Sequence, residues 1–421
     1  MFYFGIRILL YSVVSFIADL HIHSHYSRAT SPQMAPEVLW KWAQLKGITV
    51  VGTGDFTHPA WRDELEEKLE PVENGLFRLK EGCRGDGVPD SCKSDVFFLL
   101  SAEISCIYRK NGRTRKVHCL ILAPDMACAA GLGRALSRIG SVTSDGRPIL
   151  GLDAEELLGM VLDVSPEAML IPAHAWTPHF SVFGSASGFD SLEECFGGLT
   201  PHIHALETGL SSDPPMNRRV AALDHLALLS NSDAHSPAKL GREATIFGTD
   251  VSFSAIAGAI RTGRGLLSTI EFFPEEGKYH YDGHRQCGVC CSPEETIAHN
   301  YRCPTCGRKL TMGVSHRVEL LADRRPGCGP SAVPPYRSAI PLCEVLAEAM
   351  GVGAASKRVQ EAYMRLLASL GNELGVLLET PISDIGAAAT PLVGEGVRRV
   401  REGLVRVSPG YDGRYGRVKI L

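Results

Sequence analysis

Residues 16–23 read FIADLHIH, an apolar run that ends in an alternating series of Asp and His residues. In an extended strand successive side chains point to opposite faces, so Asp19, His21 and His23 would share one face and converge on one point. Taken alone, this pattern is equally typical of a polar surface strand, because most histidines bind no metal. The residues that follow along the chain decide between these interpretations.

Seven further short apolar runs recur along the chain, and most of them end in His, Asp or Glu. They occupy residues 48–55, 96–103, 117–123, 169–174, 204–207, 226–233 and 265–271. Helical patterns lie between them, for example at residues 36–46 and 153–162. Nearly continuous apolar strands that alternate with helices predict a parallel sheet buried on both faces. The fold class is therefore α/β, and a barrel would carry its chemistry at the C-terminal ends of its strands.

The composition of the 421 residues is that of an ordinary globular chain: 44% are hydrophobic, 21% are charged and the formal net charge is −4. Such values exclude bulk disorder and collagen-like repeats. The 13 cysteines are mostly scattered singly and do not resemble a secreted disulfide framework, which predicts a reducing, cytoplasmic location. The apolar N-terminal stretch is too short to span a bilayer, so we expect no membrane partner.

Potential metal ligands follow several of the apolar runs, where a barrel would gather them into one pocket. They are Asp55, His58, Glu103, His118, His174, Asp233 and His235. Imidazoles and carboxylates packed together would be repulsive or poorly solvated unless cations lie between them. The mixed N and O ligands suit Zn, Mn or Fe, and their number predicts two or three divalent ions with Glu103 as a bridge. Such neighbouring cations are suited to the hydrolysis of phosphate esters.

A second cluster lies at Cys287-x-x-Cys290 and Cys303-x-x-Cys306, with 12 residues between the pairs. This spacing is typical of a zinc ribbon or knuckle with four thiolate ligands. Reduced core cysteines are a poorer explanation, because polar residues surround the cluster. A closed four-ligand site has no open position for water, so we expect one structural Zn that holds a small module together. The spacing leaves three neighbouring candidates unused, His284, Cys291 and His299.

Changes of pattern divide the chain into four parts. They are an apolar extension at residues 1–14, which fits a mis-assigned start, a metallohydrolase barrel at residues 15–274, a zinc-binding module at residues 275–325 and a helical, basic domain at residues 326–421. Apolar residues recur at helical spacing from Pro341 onward, which indicates helices in the last part.

Basic residues are concentrated in the zinc-binding module and in the C-terminal tail. The module carries Arg308, Lys309 and Arg317, and the tail carries Arg414 near the aromatic Tyr411. A run of charge is usually only a solvated surface. Two such runs beside a phosphate-type metal site nevertheless predict a track for nucleic acid.

Two loops follow barrel strands near the expected site, at residues 176–189 and 207–219. Loops in this position commonly select the substrate. In the first loop Trp176 could stack on an extruded base, and in the second loop Arg218 and Arg219 could bind phosphates. Ordinary loop packing is the alternative explanation for these residues.

Five motifs of the barrel region resemble those of the polymerase and histidinol phosphatase (PHP) superfamily. They are ADLHIHS at 18–24, GTGDFTH at 52–58, SAEIS at 101–105, PAHAW at 172–176 and NSDAHS at 231–236. The resemblance covers the whole barrel region and implies a distorted PHP-type β/α barrel.

The PHP resemblance also implies how the metal ligands are shared. One metal site would use His21, His23, Glu103 and Asp233, a second would use Glu103, His118 and His174, and His235 would help to form a third. Many members of the superfamily have a His in the second motif, where this chain has Asp55. The remaining third-site ligand therefore stays open among His25, Asp55 and His58.

The order of the segments resembles the endonuclease Q family. The barrel is followed by KYHYDGHR at 278–285, the Cys cluster, SHRVELLADR at 315–324 and PGYDGRYG at 409–416. The resemblance implies a DNA repair enzyme that nicks DNA on the 5′ side of deaminated bases (uracil, hypoxanthine and xanthine) or of abasic sites. A sliding clamp is a further candidate partner. We expect the catalytic residues to be Glu103, His174, Asp233 and His235.

Two alternative functions are compatible with parts of the sequence. A PHP-type phosphoesterase could act on a small phosphomonoester or trim DNA as a 3′-5′ exonuclease, but a phosphatase has no use for the zinc-binding module and the basic tail. A non-catalytic binding protein could use the module alone, but the complete set of metal ligands argues against it.

Overall fold

The structure of the protein is a computed structural model that describes residues 15–330 and 333–421. The predicted extension at residues 1–14 lies outside the described residues. Within the described part, no helix is both long enough and apolar enough to cross a membrane.

The barrel region contains twelve strands and seven α-helices. The strands are β1 (Phe16–Asp19), β2 (Val50–Gly52), β3 (Leu69–Pro71), β4 (Phe77–Leu79), β5 (Phe97–Lys110), β6 (Arg113–Ala123), β7 (Ile149–Leu150), β8 (Met169–Pro172), β9 (Ala205–Glu207), β10 (Ala227–Leu229), β11 (Ala244–Phe247) and β12 (Leu266–Glu271). The helices are α1 (Pro36–Lys46), α2 (Pro59–Lys68), α3 (Met126–Ser137), α4 (Ala154–Val164), α5 (Leu192–Phe196), α6 (Pro214–Asn217) and α7 (Phe253–Thr262). Each of the eight predicted runs contains a strand.

The main sheet is mixed, whereas the apolar runs suggested a parallel sheet throughout. Strands β1, β2 and β5 are parallel, but β6 pairs antiparallel with β5 and β8. The β5–β6 hairpin is closed by Asn111 and Gly112, with φ of 53° and 73°. A two-residue Asn-Gly loop with two positive φ angles is the turn that a tight hairpin requires. Strand β11 was not predicted, and it pairs antiparallel with both β1 and β12.

Two apolar layers hold the barrel region together. The inner layer is formed by buried side chains of the strands, such as Leu99 and Ile171, together with side chains of α7 such as Ile256. The outer layer lies between the sheet and the helices, and it continues into the C-terminal helices. Because the apolar residues fill the barrel below, the polar residues at the strand ends are gathered at its mouth.

The zinc-binding module contains the antiparallel pair β13 (Asp282–His284) and β14 (Val289–Cys291), followed by α8 (Pro293–Ala298) and α9 (Val314–Leu321). Its own apolar core contains just three buried residues, Cys291, Cys303 and Leu310. So small a core provides little hydrophobic stabilisation, which makes a bound metal the expected source of order in the module.

The C-terminal region is mainly helical, as predicted. Its elements are β15 (Tyr336–Ser338), α10 (Leu342–Met350), α11 (Lys357–Leu370), α12 (Glu373–Leu378), α13 (Ile382–Ala388), α14 (Pro391–Arg401), β16 (Arg406–Ser408) and β17 (Arg417–Lys419). Strand β15 pairs in parallel with β12 of the barrel. Lys46 of α1 also forms a buried ion pair of 2.7 Å with Glu373 of α12. The helical region and the barrel therefore share one core.

Candidate metal centre

A first group of three possible metal ligands, here called site A, consists of His21, His23 and Asp233. Their ligand atoms lie within 4.8 Å of one another. His21 and His23 follow β1, and Asp233 follows β10 with a strained φ of 47°. Among the described residues, His21 Nε2, His23 Nε2 and Asp233 Oδ1 are buried and have no hydrogen-bond partner. Three orphaned polar atoms that face one another are costly unless a cation lies between them.

A second group, here called site B, consists of Glu103 on β5, His118 on β6 and His174 after β8. Glu103 Oε1 lies 2.7 Å from His118 Nδ1 and 3.0 Å from His174 Nε2. The same carboxylate faces site A, because its Oε2 lies 3.4 Å from His23 Nε2. Glu103 is therefore placed between the two sites, as a bridging ligand would be.

Residues outside the two sites fix the orientation of the imidazoles. Glu207 at the end of β9 accepts a hydrogen bond of 3.0 Å from His21 Nδ1 and one of 2.8 Å from the His174 amide. Asn231 donates to the same carboxylate at 2.9 Å. Such partners hold the ring of a metal-ligating His in place and keep its other nitrogen free. The sequence did not assign Glu207 a role, although it ends one of the apolar runs.

Asp55 holds the imidazole of His23 in place, as Glu207 holds that of His21. Its Oδ1 lies 3.1 Å from His23 Nδ1, and its Oδ2 accepts hydrogen bonds from the amide and hydroxyl of Ser24, both at 2.7 Å, and from Ser27 Oγ at 2.8 Å. Both oxygens are therefore occupied. Asp55 is therefore placed as a positioning residue for His23, and none of the metal-type groups among the described residues includes it.

The structure does not bring His58 into site A or site B. Its Nδ1 accepts the Trp61 amide as the N-terminal cap of α2, and its Nε2 donates to the Thr143 carbonyl at 3.2 Å. Asp19 does not converge with His21 and His23, because its carboxylate accepts the backbone amides of Ser232 and Gly241.

His235 lies at the rim of the centre. Its ring centroid is 4.5 Å from that of His23, its Nδ1 donates to the Asp233 carbonyl at 2.9 Å, and its side chain is 33% exposed. Within the described residues no third three-ligand group forms around it. The third metal site therefore stays a prediction.

Arg147 is a functional candidate that the sequence did not reveal. Its Nη1 lies 3.0 Å from Glu103 Oε2, and its side chain is 26% exposed. The loop that carries it is held by Asp145, whose Oδ1 accepts the Arg147 amide at 3.2 Å. No strand-end pattern marks this loop, so only the fold brings a guanidinium to the centre.

Without metal, buried carboxylates and imidazoles of the centre, such as Glu103 and His21, stabilise each other's charged forms. Burial would lower the pKa of His21, but the carboxylates of Glu207 and Glu103 raise it well above its ordinary value. Burial would raise the pKa of Glu103, but His118 and His21 hold it well below its usual range. Burial lowers the pKa of His118 to about 4. The donor set of N and O atoms fits divalent cations, whose binding would displace the protons on the imidazoles.

The site of the zinc-binding module differs from the prediction by one ligand. The four residues whose ligand atoms lie within 4.8 Å of one another are His284, Cys287, Cys303 and Cys306. Cys290 is not among them, which corrects the predicted set of four thiolates.

The register of the β13–β14 hairpin explains this difference. His284 pairs with Val289, and Gly283 pairs with Cys290, so alternation places Cys290 on the opposite face from His284. His284 Nδ1 lies 3.5 Å from Cys306 Sγ. Burial would raise the pKa of Cys303, but the amides of Cys306 and Thr305 lower it to about 6. A set of three thiolates and one imidazole fits a closed structural zinc site.

Three residues predicted to bind DNA are engaged inside the protein. Trp176 is fully buried, and its Nε1 donates to Asn217 Oδ1 at 2.8 Å. The Arg218 guanidinium is buried and donates to two backbone carbonyls at 2.7 and 3.0 Å. Arg219 forms an ion pair of 2.6 Å with Glu319. Trp176 and Arg218 are therefore buried, and Arg219, at 13% side-chain exposure, is paired with an acidic residue of the module, so none of the three side chains is free at the surface.

Arg317 is also engaged internally, by the Phe183 carbonyl and by Asp190. The predicted residues that stay accessible are Arg308 and Lys309 on the module, and Arg414 on the tail. Tyr411 is partly buried, and the Arg414 guanidinium lies 5.9 Å from its ring centroid. An isolated bridge between Tyr281 and Tyr411 joins the tail to the module. A DNA contact of these four residues stays a prediction.

Some known proteins and families match only part of this chain, and others match nearly all of it. Residues 341–404 match the family described as the MJ0043 C-terminal domain. Uncharacterized protein MJ0043 of Methanocaldococcus jannaschii is 32% identical over 286 residues, which cover 64% of this chain and 35% of MJ0043, so this chain spans about a third of that relative. Uncharacterized protein YqxK of Bacillus subtilis is 29% identical, and the match covers 96% of this chain and 98% of YqxK.

Two solved structures match over nearly the whole chain. The lesion-specific endonuclease PfuEndoQ of Pyrococcus furiosus is 33% identical with a TM-score of 0.84, and the match covers 97% of this chain and 96% of that one. Endonuclease Q in complex with a 27-mer duplex that has an abasic lesion at the active site is 32% identical with a TM-score of 0.83 and 97% coverage of both chains. Identity above 30% over almost the whole of a solved relative shows that this chain belongs to the endonuclease Q family.

Proposed function

We propose that the protein is a metal-dependent DNA endonuclease that nicks damaged DNA on the 5′ side of a deaminated base or an abasic site. The observation that carries this proposal is the pair of three-ligand sites joined by Glu103 at the mouth of the barrel. Two full-length relatives named as endonuclease Q support a DNA substrate, and one of them holds a duplex with an abasic lesion.

Site A and site B would each hold one divalent cation, Zn, Mn or Fe, and the module site would hold one structural Zn. When bound at the two barrel sites, such cations supply Lewis acidity and positive charge for phosphodiester hydrolysis. A third cation beside His235 is part of the proposal, and the structure places His25, Asp55 and His58 outside the metal-type groups of the described residues. The imidazole of His25 contacts the Met34 carbonyl and Glu64 instead.

The chain's own residues keep the two sites rigid and expose one side of them. Glu207 and Asp55 hold the imidazoles of His21 and His23 so that both Nε2 atoms face Asp233. Most of the centre is buried, whereas Asp233, at 28% side-chain exposure, lies at the rim together with His235 and Arg147. A phosphodiester would therefore approach from the side of these three residues.

Two rim residues have free groups suited to a phosphodiester. Arg147 contacts Glu103 through Nη1, and the rest of its guanidinium can donate to a phosphate oxygen, a strong charge-assisted hydrogen bond. His235 donates through Nδ1 to a backbone carbonyl, so its Nε2 can accept or deliver a proton. Burial lowers the pKa of His235, which favours the neutral ring that a proton acceptor needs.

The proposal also includes the cellular setting. None of the 13 cysteines, all of which lie in the described part of the chain, forms a disulfide, which supports a reducing, cytoplasmic location. The substrate would be duplex DNA with uracil, hypoxanthine, xanthine or an abasic site, and a sliding clamp is the candidate protein partner.

A nicking assay tests the proposal. The purified protein would be incubated with Mn²⁺ or Zn²⁺ and with labelled duplexes that contain one abasic site, one uracil, one hypoxanthine or no lesion. We expect one nick on the 5′ side of each lesion, a 3′-hydroxyl that a polymerase extends, and no product after metal removal. A ladder from the 3′ ends, or release of phosphate alone, would instead support the exonuclease or phosphatase alternative.

A further inference from the structure

Arg317 of α9 links the zinc-binding module to the loop that follows β8, residues 174–190. Its Nε donates to the Phe183 carbonyl at 2.8 Å, and its Nη2 donates to the Phe189 carbonyl at 2.7 Å and to Asp190 Oδ1 at 2.6 Å. The Arg317 side chain is 12% exposed. A guanidinium with three internal acceptors is committed to this loop and is not available to DNA.

The same loop supports two of the three residues of site B. His174 Nδ1 lies 3.1 Å from both Thr177 Oγ1 and Ser181 Oγ. The His118 amide donates to the Phe180 carbonyl at 3.0 Å, and the rings of His118 and Phe180 are 4.7 Å apart. The orientation of both imidazoles therefore depends on the conformation of the loop.

The loop conformation needs an external support. Phe180 has a φ of 62°, a left-handed conformation that is unfavourable for a bulky side chain and persists only where surrounding contacts enforce it. Arg317 provides such contacts through the Phe183 and Phe189 carbonyls of the loop. Arg115 adds a further contact, since its guanidinium lies over the Phe189 ring at 4.1 Å.

Arg317 is itself held by the module. Asp282 of β13 accepts the Gly313 amide at the start of α9 at 2.6 Å and contacts His316 Nδ1 at 2.5 Å. His284, a residue of the module site, lies on the same strand two positions after Asp282. The order of β13, and with it the position of α9, therefore depends on the module site.

We propose that Arg317 is a positioning residue through which the zinc-binding module holds His118 and His174 in place and thereby sets the affinity of site B for its metal. This inference rests on the proposed metal dependence of the barrel, but not on the identity of the DNA substrate. Residues that orient metal ligands typically contribute 10–100-fold in metal affinity. Because Arg317 acts through the loop, we expect an effect at the lower end, about 10-fold.

The test compares Arg317→Ala and Arg317→Lys with the wild-type protein and with Arg308→Ala. Arg308 lies exposed on the same module, where its guanidinium donates to Gln286. Each protein would be freed of barrel metal with the structural zinc retained, and its Mn²⁺ dissociation constant would be measured by electron paramagnetic resonance. Zinc content, kcat and KM for the abasic duplex would be measured in parallel.

We expect Arg317→Ala to weaken Mn²⁺ binding about 10-fold and to lower kcat at limiting Mn²⁺ with unchanged KM, and Arg317→Lys to recover part of the loss. Arg308→Ala should leave Mn²⁺ binding unchanged.

Wild-type Mn²⁺ affinity in a folded Arg317→Ala protein would overturn the inference. If that protein does not fold, Asp190→Ala, which removes one exposed acceptor, must still show a smaller loss of Mn²⁺ affinity. If the wild-type protein nicks no DNA, the endonuclease proposal fails, while the Mn²⁺ measurement still decides this inference.

Discussion

The barrel centre and the module site are both metal-type clusters, but they are built in opposite ways. In the barrel, His21, His23 and Glu103 are fully buried, and carboxylates of Glu207 and Asp55 fix the two imidazoles. In the module, His284, Cys287 and Cys306 are partly or fully exposed, and only Cys303 is buried, in an apolar core of three residues to which it belongs itself.

This difference predicts opposite responses to metal removal. The barrel centre is shaped by the fold, so it should keep its geometry and lose only its activity when the cations leave. The module has too little apolar core of its own, so zinc would be part of its folding energy. The fold of the barrel would thus form its metal sites before metal binds, whereas the module would need its zinc in order to fold.

The largest expected effect is at the residue that joins sites A and B. Glu103→Ala removes the carboxylate shared by the two sites, so two cations would repel each other without an anion between them. We expect DNA cleavage to fall by several orders of magnitude and barrel metal content to drop, measured by nicking kinetics and elemental analysis. Glu66→Ala, on the exposed face of α2, is the matched control. Full activity and unchanged metal content in Glu103→Ala would refute the bridge.

The next effect concerns the orienting carboxylates of the barrel. Glu207→Gln keeps the shape of the side chain but weakens its hold on the His21 imidazole. We expect a loss of about 10–100-fold in metal affinity or activity, together with a lower melting temperature, because the Gln amide nitrogen must face one of the three donors around Glu207. A fall in stability with normal metal affinity would mean that Glu207 serves the fold and not the centre.

The module site can be tested by two substitutions, one on each strand of the β13–β14 hairpin. His284→Asn should lose the structural zinc and lower the melting temperature, because it removes one of four ligands. Cys290→Ser should keep the zinc, since Cys290 lies outside the group. Elemental analysis and calorimetry measure both effects. Loss of zinc in Cys290→Ser with retention in His284→Asn would restore the four-thiolate assignment.

A smaller effect is expected from a buried carboxyl group behind the barrel centre. Burial raises the pKa of Glu271 from 4.5 to about 8, and Glu271 accepts a hydrogen bond from Thr208, the neighbour of Glu207. The folded protein thus keeps a proton that the unfolded chain releases, so stability should fall as pH rises from 4.5 to about 8. Glu271→Gln should raise the melting temperature at pH 8 by a few degrees and leave it unchanged at pH 4.5. Equal effects at both pH values would contradict this assignment.

The smallest expected effect is on the exposed surface. Arg414→Ala removes one accessible cation of the tail, so it should weaken binding to damaged and undamaged duplexes alike and reduce the salt dependence by roughly one unit of slope. Fluorescence anisotropy at several salt concentrations measures both quantities. A selective loss of lesion preference would instead place Arg414 in the recognition of the base.

The sequence predicted the candidate ligands that lie on strands or directly after them, because strand alternation and barrel topology act locally and in a regular way. The residues that the structure gathers as predicted are His21, His23, Glu103, His118, His174 and Asp233. Asp55 and His58 could not be separated from them, since both also follow an apolar run. Their role depends on hydrogen-bond partners such as Ser27 and Thr143, which the fold brings close.

Features that depend on register or on distant contacts were not predictable. The choice between His284 and Cys290 follows from the pairing of one short hairpin, and a shift by one residue would reverse it. The burial of Trp176 and Arg218 likewise depends on partners that no local pattern marks. For the same reason Arg147, in a loop without a strand signal, was missed.

Anomalous X-ray diffraction at the Zn and Mn absorption edges, on crystals grown with both metals, tests the contrast between the two regions most directly. We expect two neighbouring peaks in the barrel, one ligated by His21, His23 and Asp233, the other by His118 and His174, with Glu103 between them. A separate Zn peak should lie among His284, Cys287, Cys303 and Cys306. Barrel density without an anomalous peak, or a module peak ligated by Cys290 in place of His284, would contradict this account.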